Sequence, residues 1–558
     1  MNTAPPDKKT FILAVDGGTF DVIRPLVKRG KLPNMGRLMK QGSWGKLHST
    51  IHPITPAAWT SFMTGVNPGR HGVYDFVAPE PSGYGFRLTT ALNCREETFW
   101  SYLSRHGKRV IAVNLPFTYP PERVNGLMIS GLDAPMARRE IASPPEVYDT
   151  LVGQFGEYIM DWTMPVGRRF NLARYKENLW RTLEFRYESG RYLLSNYPWD
   201  CFMLVFNSTD HVQHIFWQAE PEARSIIEET YQRVDGYLGK FLEELDNDTT
   251  VLIVSDHGAG PIERVFYLDR WLEREGYLVF SSSTFSPGRV LVGLARKART
   301  FLRRHLPVPV KKMLRYALPG TRDRVETLIA TRNVDWSRVK AYSSGYYGNI
   351  YINLRGDKPK GTVSAEDYDM LCSELSDKLM QIEDPSTGER IVERVYRKND
   401  IYSGEQVRHA PDLIIRWRDY ATYTEKGLEA ASGDDTDSLF AGRHLKVESS
   451  DYPLTGTHRI DGIFIAAGPA IRQSGEVEKL NILDLFPTIL YTLGRPIPDD
   501  RDGRVLEEIF DPAYLAEHPP DYVPADRGPS TRDTATGGLN EDEEAAIAER
   551  LRGLGYLG

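Results

Sequence analysis

The sequence predicts an α/β protein with a mostly parallel central sheet and helices on both of its faces. Short apolar runs of the kind found in buried strands recur along the chain. Helical patterns lie between most of these runs, and alternation of this type is typical of parallel sheets. Ligands of such sheets collect beyond the carboxyl ends of the strands. The residues that follow each predicted strand are therefore the first candidates for function.

The predicted elements follow in chain order. The predicted strands are FILAV at 11–15, VIAVN at 110–114, CFMLVF at 201–206, TVLIVS at 250–255, DLIIRW at 412–417 and GIFIAAG at 462–468. Each is short, apolar and followed by turn or helix signals. The predicted helices are Thr19–Gln41, Thr98–His106, Tyr175–Asn196, Pro221–Leu245 and Ala365–Ile382.

Composition excludes several classes of protein. The 558 residues are 41% hydrophobic and 26% charged, which is ordinary for a globular chain and unlike a disordered, collagen-like or multi-span membrane protein. A net charge of −7 gives no global attraction to a nucleic acid polymer. Three scattered cysteines, Cys94, Cys201 and Cys372, form no disulfide framework. Because no signal peptide or spanning segment is recognisable, a cytoplasmic location is expected.

The chain divides into a catalytic domain and three additional segments. The predicted boundaries are 1–280 and 333–516 for the two parts of the catalytic α/β domain, 281–332 for a basic helical insert or lid, 517–540 for a flexible linker rich in Pro and Gly, and 541–558 for an amphipathic C-terminal helix.

The insert is strongly basic. Residues 289–324 carry eleven lysines and arginines against one acid, Asp323, with leucines at roughly helical spacing. Three interpretations stay open. The segment is a solvated lid, an element that contacts an anionic membrane surface peripherally, or a source of attraction for an anionic substrate.

Carboxylates and imidazoles cluster at the predicted ends of the strands. Asp16 follows the first strand, Asp210 and His214 follow the third at a spacing that places both on one helical face, and the pair Asp256–His257 follows the fourth. His458 precedes the last strand. Imidazole and carboxylate together suit Zn²⁺, and also Mn²⁺. Six ligands exceed the need of one tetrahedral ion, so we expect two divalent metal ions.

Thr55 is the candidate nucleophile. Pro56 suits the first position of a helix, which makes Thr55 the expected N-cap. The N–H groups and dipole at that end favour a phosphate or an alkoxide. A divalent ion beside the hydroxyl would lower its pKa and replace a side-chain base.

Together these motifs resemble the alkaline phosphatase superfamily, in its branch of type I phosphodiesterases, nucleotide pyrophosphatases and related phosphohydrolases or phosphomutases. The resemblance runs from Asp16 to about Phe510 through VDGGTFD, TPAAWTSFMTGVNPGRHG, NSTDHVQH, SDHGAGP, GTHRIDG and LDLFPTILYTLGRPIP. It implies one metal held by Asp210, His214 and His458. It implies a second metal held by Asp16, Thr55, Asp256 and His257.

The chain also departs from the family pattern. Nucleotide pyrophosphatases carry an asparagine, which contacts the transferred phosphoryl group, at the position of Phe76. Asn93 is a candidate replacement, and Arg459 is a candidate for contact with substrate phosphate. The sulfatase signature is absent, because the nucleophile position reads TPAAW.

The function expected from these features is two-metal hydrolysis of a small anionic phosphate ester through a covalent phospho-threonine. Either a monoester or a diester remains open as substrate. One alternative is a phosphotransferase or phosphomutase, in which an acceptor alcohol replaces water. Another is a non-catalytic membrane-surface protein on this fold, which the intact ligand set disfavours. The sequence does not indicate an oligomeric state.

Overall fold

A ten-stranded sheet forms the centre of the protein. The structure is a computed structural model that describes residues 8–80, 83–161, 171–280, 334–424, 438–441, 454–526 and 539–554. The predicted insert at 281–332, including its basic stretch 289–324, lies outside the described residues.

The described strands are β1 Thr10–Val15, β2 Ser43–His48, β3 Val77–Pro79, β4 Phe86–Leu88, β5 Val110–Leu115, β6 Gly126–Ser130, β7 Ala142–Ser143, β8 Cys201–Phe206, β9 Thr250–Val254, β10 Gly258–Pro261, β11 Arg264–Phe266, β12 Ala341–Ser344, β13 Asn349–Ile352, β14 Val392–Arg397, β15 Leu413–Trp417, β16 Thr422–Thr424, β17 Phe440–Ala441, β18 Gly456–Arg459, β19 Asp461–Ala467, β20 Gly475–Glu476, β21 Leu480–Asn481, β22 Ile497–Pro498 and β23 Tyr522–Val523.

The described α-helices are α1 Phe20–Lys28, α2 Pro33–Gln41, α3 Thr55–Thr64, α4 Pro68–His71, α5 Phe99–Arg105, α6 Glu146–Phe155, α7 Leu172–Asn196, α8 Ser208–Phe216, α9 Pro221–Glu244, α10 Leu268–Arg274, α11 Ala365–Leu379, α12 Lys398–Ile401, α13 Leu485–Thr492, α14 Pro512–Glu517 and α15 Glu541–Leu554. Short 3₁₀ helices lie at Ala91–Asn93, Arg139–Ile141, Glu405–His409, Arg418–Tyr420, Ile482–Asp484 and Glu507–Ile509.

The order of the strands places the strand ends that precede the candidate ligands next to one another. The central sheet runs β20-β2-β19-β9-β1-β8-β5-β6-β7, with β21 also paired to β2. Strand β1 is parallel to both β8 and β9, so that Val15 lies opposite Phe206 and Ala14 opposite Val254. The three carboxyl ends therefore lie side by side. The predicted fold class, a mostly parallel sheet flanked by helices, is confirmed.

Both faces of this sheet are buried. Phe11, Leu13 and Val15 of β1 belong to one apolar cluster, and Ile12 and Ala14 belong to the cluster on the opposite face. Because successive strand residues point to opposite faces, a strand that is apolar throughout must be covered twice. Helices supply that cover on each side, and the resulting core fixes the sheet edge on which the site is built.

Two predicted elements are wrong in detail. The helix predicted over Thr19–Gln41 is broken into α1 and α2, because Gly30 adopts a φ of +70° and Pro33 starts a new helix. The strand predicted at 412–417 pairs in a separate four-stranded antiparallel sheet with β12, β13 and β14.

The last part of the chain packs back on the body. The segment predicted as a linker, 517–540, contains β23, which pairs with β22. Within the predicted 541–558 helix, α15 buries Ile547 and Leu551 in the main apolar cluster. Among the helices that the structure describes, none is long and apolar enough to cross a membrane.

Candidate active site

The first ligand cluster joins α8 to strand β18. Asp210 and His214 lie one turn apart on α8, and His214 Nε2 is 3.2 Å from Asp210 Oδ2. His458 comes from β18, with its Nε2 atom 2.9 Å from His214 Nε2 and 3.7 Å from Asp210 Oδ1. All three side chains are buried and offer ligand atoms within 4.8 Å of one another.

The second cluster lies at the ends of β1 and β9. His257 Nε2 is 3.1 Å from Asp256 Oδ2 and 3.9 Å from Asp16 Oδ1. Asp16 Oδ1 and Asp256 Oδ2 are buried and have no hydrogen-bond partner among the described residues. Buried carboxylate oxygens without partners are costly unless a cation satisfies them. The donor set therefore fits a divalent ion.

Thr55 lies beside the second cluster. Its Oγ1 atom is 3.3 Å from His257 Nε2, and the ring of His257 stacks on that of His458 with 3.6 Å between centroids. The helix begins at Thr55 itself, so Pro56 is its second residue and the predicted N-cap is wrong by one position. The hydroxyl nevertheless stands in the first turn of α3, where the helix dipole favours negative charge.

Each histidine is oriented by a main-chain carbonyl. The Nδ1 atoms of His214, His257 and His458 lie 2.9, 3.0 and 2.7 Å from the carbonyl oxygens of Gly456, Gly258 and Pro53. A carbonyl can only accept, so each Nδ1 donates its proton, and in the neutral ring each Nε2 presents a lone pair. The two facing Nε2 atoms of His214 and His458 then repel unless a cation lies between them, which is the orientation that metal-binding histidines need.

The pKa values reflect crowding of buried charges. Burial raises the pKa of Asp16 well above its usual range, and the nearby Asp256 and Asp210 carboxylates raise it further. Burial likewise raises the pKa of Asp256 to about 6. Burial lowers the pKa of His458, and so does the adjacent His257. A bound cation would favour ionised carboxylates and neutral imidazoles in this setting.

Two residues that support the ligand clusters were not predicted from the sequence. Trp59, one helical turn after Thr55, donates from Nε1 to Asp16 Oδ2 at 3.3 Å. Gln213 donates from Nε2 to the Gly17 carbonyl at 2.9 Å and accepts from the Tyr231 hydroxyl at 3.0 Å. The spacing of Trp59 four residues after Thr55 was the available signal for the first. No sequence signal marks Gln213 beyond its place beside His214.

The two predicted substrate-binding residues have local partners. Asn93 Oδ1 accepts from the Thr90 backbone N–H at 2.9 Å and caps a short turn. The guanidinium of Arg459 donates to the carbonyls of Tyr420, His458 and Pro261. These contacts occupy Asn93 Oδ1 and the Nη atoms of Arg459, and the substrate contacts of both residues stay predictions. Phe76 is buried and packs its ring 5.7 Å from that of Phe117.

The two carboxylate–histidine clusters at one edge of a mostly parallel sheet are an arrangement expected of a phosphoester hydrolase. The chain belongs to the type I phosphodiesterase/nucleotide pyrophosphatase family, whose model matches residues 10–445. No curated protein matches the sequence.

Solved structures are similar to the chain at low sequence identity. Phosphonoacetate hydrolase from Sinorhizobium meliloti is 16% identical, with a TM-score of 0.53 over 88% of this chain and 95% of that chain. Murine ectonucleotide pyrophosphatase/phosphodiesterase 5 is 15% identical, with a TM-score of 0.47 over 90% of this chain and 100% of that chain.

Proposed function

We propose that the protein hydrolyses phosphate esters with two divalent ions and with Thr55 as a covalent nucleophile. The observation that carries this proposal is the position of the Thr55 hydroxyl, 3.3 Å from His257 Nε2, where the ring of His257 stacks on that of His458 in the other buried cluster. A threonine hydroxyl is a poor nucleophile at neutral pH without activation. Bound ions would lower its pKa and stabilise charge on the phosphoryl group.

Asp16, Asp256 and His257 would hold one ion together with Thr55, and Asp210, His214 and His458 would hold the other. The Thr55 hydroxyl loses its proton and its oxygen forms a bond to phosphorus while the ester P–O bond breaks, and the leaving alkoxide gains a proton. Water then attacks the phospho-threonine, which frees phosphate from a monoester substrate or a phosphate monoester from a diester substrate and restores the hydroxyl. Because the first turn of α3 fixes Thr55, little reorganisation accompanies the attack.

We propose zinc for both sites, with manganese as the second choice. Three neutral imidazoles and three carboxylates make a mixed nitrogen and oxygen donor set, which Zn²⁺ accepts readily and Mn²⁺ tolerates. Elemental analysis of protein purified without chelator would give the metals and their number. We expect close to two divalent ions per chain.

A panel of substrates tests the reaction itself. Turnover of phosphate monoesters and diesters would be measured after chelation and after readdition of Zn²⁺ or Mn²⁺. Phosphonoacetate belongs in the panel because a hydrolase of that name shares the fold. We expect chelation to abolish turnover and readdition to restore it. A protein that keeps two ions but turns over no ester would contradict the proposal.

A further inference from the structure

Gln213 lies on the helix of the first ligand cluster and contacts the turn that carries part of the second. Helix α8 holds Asp210 and His214, and Gln213 stands between them in the chain. Its Nε2 atom donates to the Gly17 carbonyl at 2.9 Å, in the turn after β1. Gly17 directly follows Asp16, a member of the second cluster. The contact therefore runs from one candidate metal site to the other.

Helix α8 holds two consecutive carbonyls of this turn. Thr209 Oγ1 donates to the Asp16 carbonyl at 2.6 Å, one residue before the carbonyl that Gln213 binds. The backbone N–H of Gly17 in turn donates to Asp256 Oδ1 at 3.3 Å. The peptides on both sides of Gly17 are thus bound, one to the helix of the first cluster and the other to a carboxylate of the second.

The amide of Gln213 has a single orientation. A carbonyl can only accept, so Nε2 must face Gly17 and Oε1 must face away from it. Oε1 accepts from the Tyr231 hydroxyl at 3.0 Å, and that hydroxyl accepts from the Thr19 backbone N–H at 3.2 Å. Gln213 and Tyr231 are both buried. A buried polar network with paired donors and acceptors is rigid and favours one conformation.

The two clusters differ in what holds their ligands. Asp210 and His214 are fixed to each other by one turn of α8, and His458 is held by the Pro53 carbonyl. Asp16 instead begins a turn of two glycines, of which Gly17 adopts a φ of +64°. Glycine leaves the backbone free to move unless contacts from outside restrain it. The second cluster therefore depends on the hydrogen bonds that α8 supplies.

We propose that Gln213 is a positioning residue for the ion of the second cluster, although it lies on the helix of the first. Its amide holds the turn at Gly17 so that Asp16 and Asp256 face a shared divalent ion. Loss of a partner that orients metal ligands from outside typically weakens metal affinity about 10–100-fold. This inference rests on the proposed function, because it needs two ion sites.

Proteins with one remaining site test the inference without turnover. His458→Ala leaves the second cluster intact, and His257→Ala leaves the first. Gln213→Met would be added to each, because methionine keeps an unbranched side chain of similar length and loses both hydrogen bonds. Competition with a chromogenic chelator would give the Kd of each protein for Zn²⁺, with no substrate present.

Two further variants complete the comparison. Tyr231→Phe removes only the hydroxyl that donates to the Gln213 amide, so it is the milder change. Gln218→Met is the matched control. Gln218 Nε2 also donates to two main-chain carbonyls, those of Ile262 and Thr455, and neither adjoins a ligand of the second cluster in the chain.

In the His458→Ala protein, we expect Gln213→Met to raise the Kd for Zn²⁺ about tenfold or more and Tyr231→Phe to raise it less. In the His257→Ala protein, both should change Kd by no more than about twofold, as independent sites do. Gln218→Met should leave Kd unchanged in either protein. If Gln213→Met does not fold, Tyr231→Phe decides by the same comparison.

Two results would overturn the inference. Equal losses in both single-site proteins would mean that Gln213 supports only the fold, and an unchanged Kd in the His458→Ala protein would mean that the turn needs no support from α8. If wild-type protein still binds two ions in either case, only the inference falls. If wild-type protein binds no Zn²⁺ at all, the proposed function falls as well.

Discussion

Thr55 is the residue on which the proposed chemistry depends. Thr55→Ala should lose nearly all turnover, because no oxygen remains to attack phosphorus, while Thr55→Ser should keep part of it. Thr60→Ala is the matched control. Thr60 lies in the same helix and its hydroxyl donates to the Pro56 carbonyl at 2.6 Å, away from the ligand atoms. Steady-state kinetics of the three variants would give the turnover rate of each relative to the wild type. Retention of about a tenth of the rate by Thr55→Ala would show that water attacks directly.

His458 is expected to hold only one of the two ions. His458→Ala removes the Nε2 atom that faces Asp210 and His214, and the second cluster keeps its three ligands. Elemental analysis should therefore show partial loss, with one site still filled. The exposed His518, which contacts the Tyr514 carbonyl, gives a control variant, His518→Ala. Full occupancy in His458→Ala would remove this residue from the ligand set.

Asp269 makes the stability depend on pH. Burial raises its pKa to about 7, well above the usual range of an aspartate, although Ser343 Oγ donates to it at 2.6 Å. The folded state therefore keeps a proton that the unfolded state releases. The contribution of Asp269 to the free energy of unfolding is complete below about pH 4. It is lost as pH rises towards 7, at roughly 1.4 kcal/mol per pH unit.

Asp269→Asn removes this ionisation. The free energy of unfolding, measured with urea, should fall less between pH 5 and pH 7 in Asp269→Asn than in the wild type. Other buried carboxyls, such as Asp133 with a pKa raised by burial to about 6, contribute equally to both proteins. An identical pH dependence in the two would mean that Asp269 is already ionised in the folded state.

At the scale of elements, the turn between β1 and α1 brings two parts of the site together. Gly17 adopts a φ of +64°, and an added Cβ would lie 2.7 Å from Asp210 Oδ1 and 3.1 Å from Gln213 Nε2. Gly17→Ala should displace Asp210 and weaken the ion held by the first cluster. Gly107→Ala is a control, because Gly107 has a φ of +76° with open space around its Cα.

Metal content and thermal stability of the two glycine variants separate backbone strain from crowding. Both should lose stability, since a side chain at positive φ is strained in either turn. Only Gly17→Ala should also lose metal. Equal metal content in both variants would show that the β1 turn tolerates a side chain beside Asp210.

Sequence patterns predicted strands better when the strands were buried on both faces. Strands β1, β8 and β9 are apolar throughout and stood out, whereas β2 alternates buried and more exposed residues in SWGKLH and was missed. The antiparallel pairing of β15 in a separate sheet depends on long-range contacts, which an apolar run of six residues does not specify.

At the scale of the whole molecule, the C-terminal helix α15 closes over the main core. Leu551 and Ile547 are each 1% exposed, and Arg550 donates to the carbonyls of Ala134 and Pro135. Leu551→Ala should cost about 2–5 kcal/mol of stability through a lost contact and a cavity. Glu544→Ala, on an exposed position of the same helix, should cost little. Urea unfolding measures both, and equal stabilities would mean that α15 does not pack here in solution.

The ligand clusters could be foreseen because their residues follow strands that pack side by side. The neighbours of the ligands could not. Trp59 contacts Asp16, which is far away in the chain, and the local pattern of a single sequence does not indicate such a contact. The place of Arg459 beside His458 suggested a substrate contact, whereas the main-chain carbonyls of Tyr420 and Pro261 that it contacts could not be foreseen from the local sequence.

The stereochemical course at phosphorus tests the central claim most directly. A phosphate diester or a thiophosphate monoester, made chiral at phosphorus with oxygen isotopes, would be hydrolysed in isotopically labelled water by the metal-loaded wild-type protein, so that the product is itself chiral. Attack by Thr55 followed by attack of water is two in-line displacements, so the account predicts net retention of configuration. Net inversion would mean a single displacement by water and would contradict a covalent phospho-threonine, whatever the metal content of the protein.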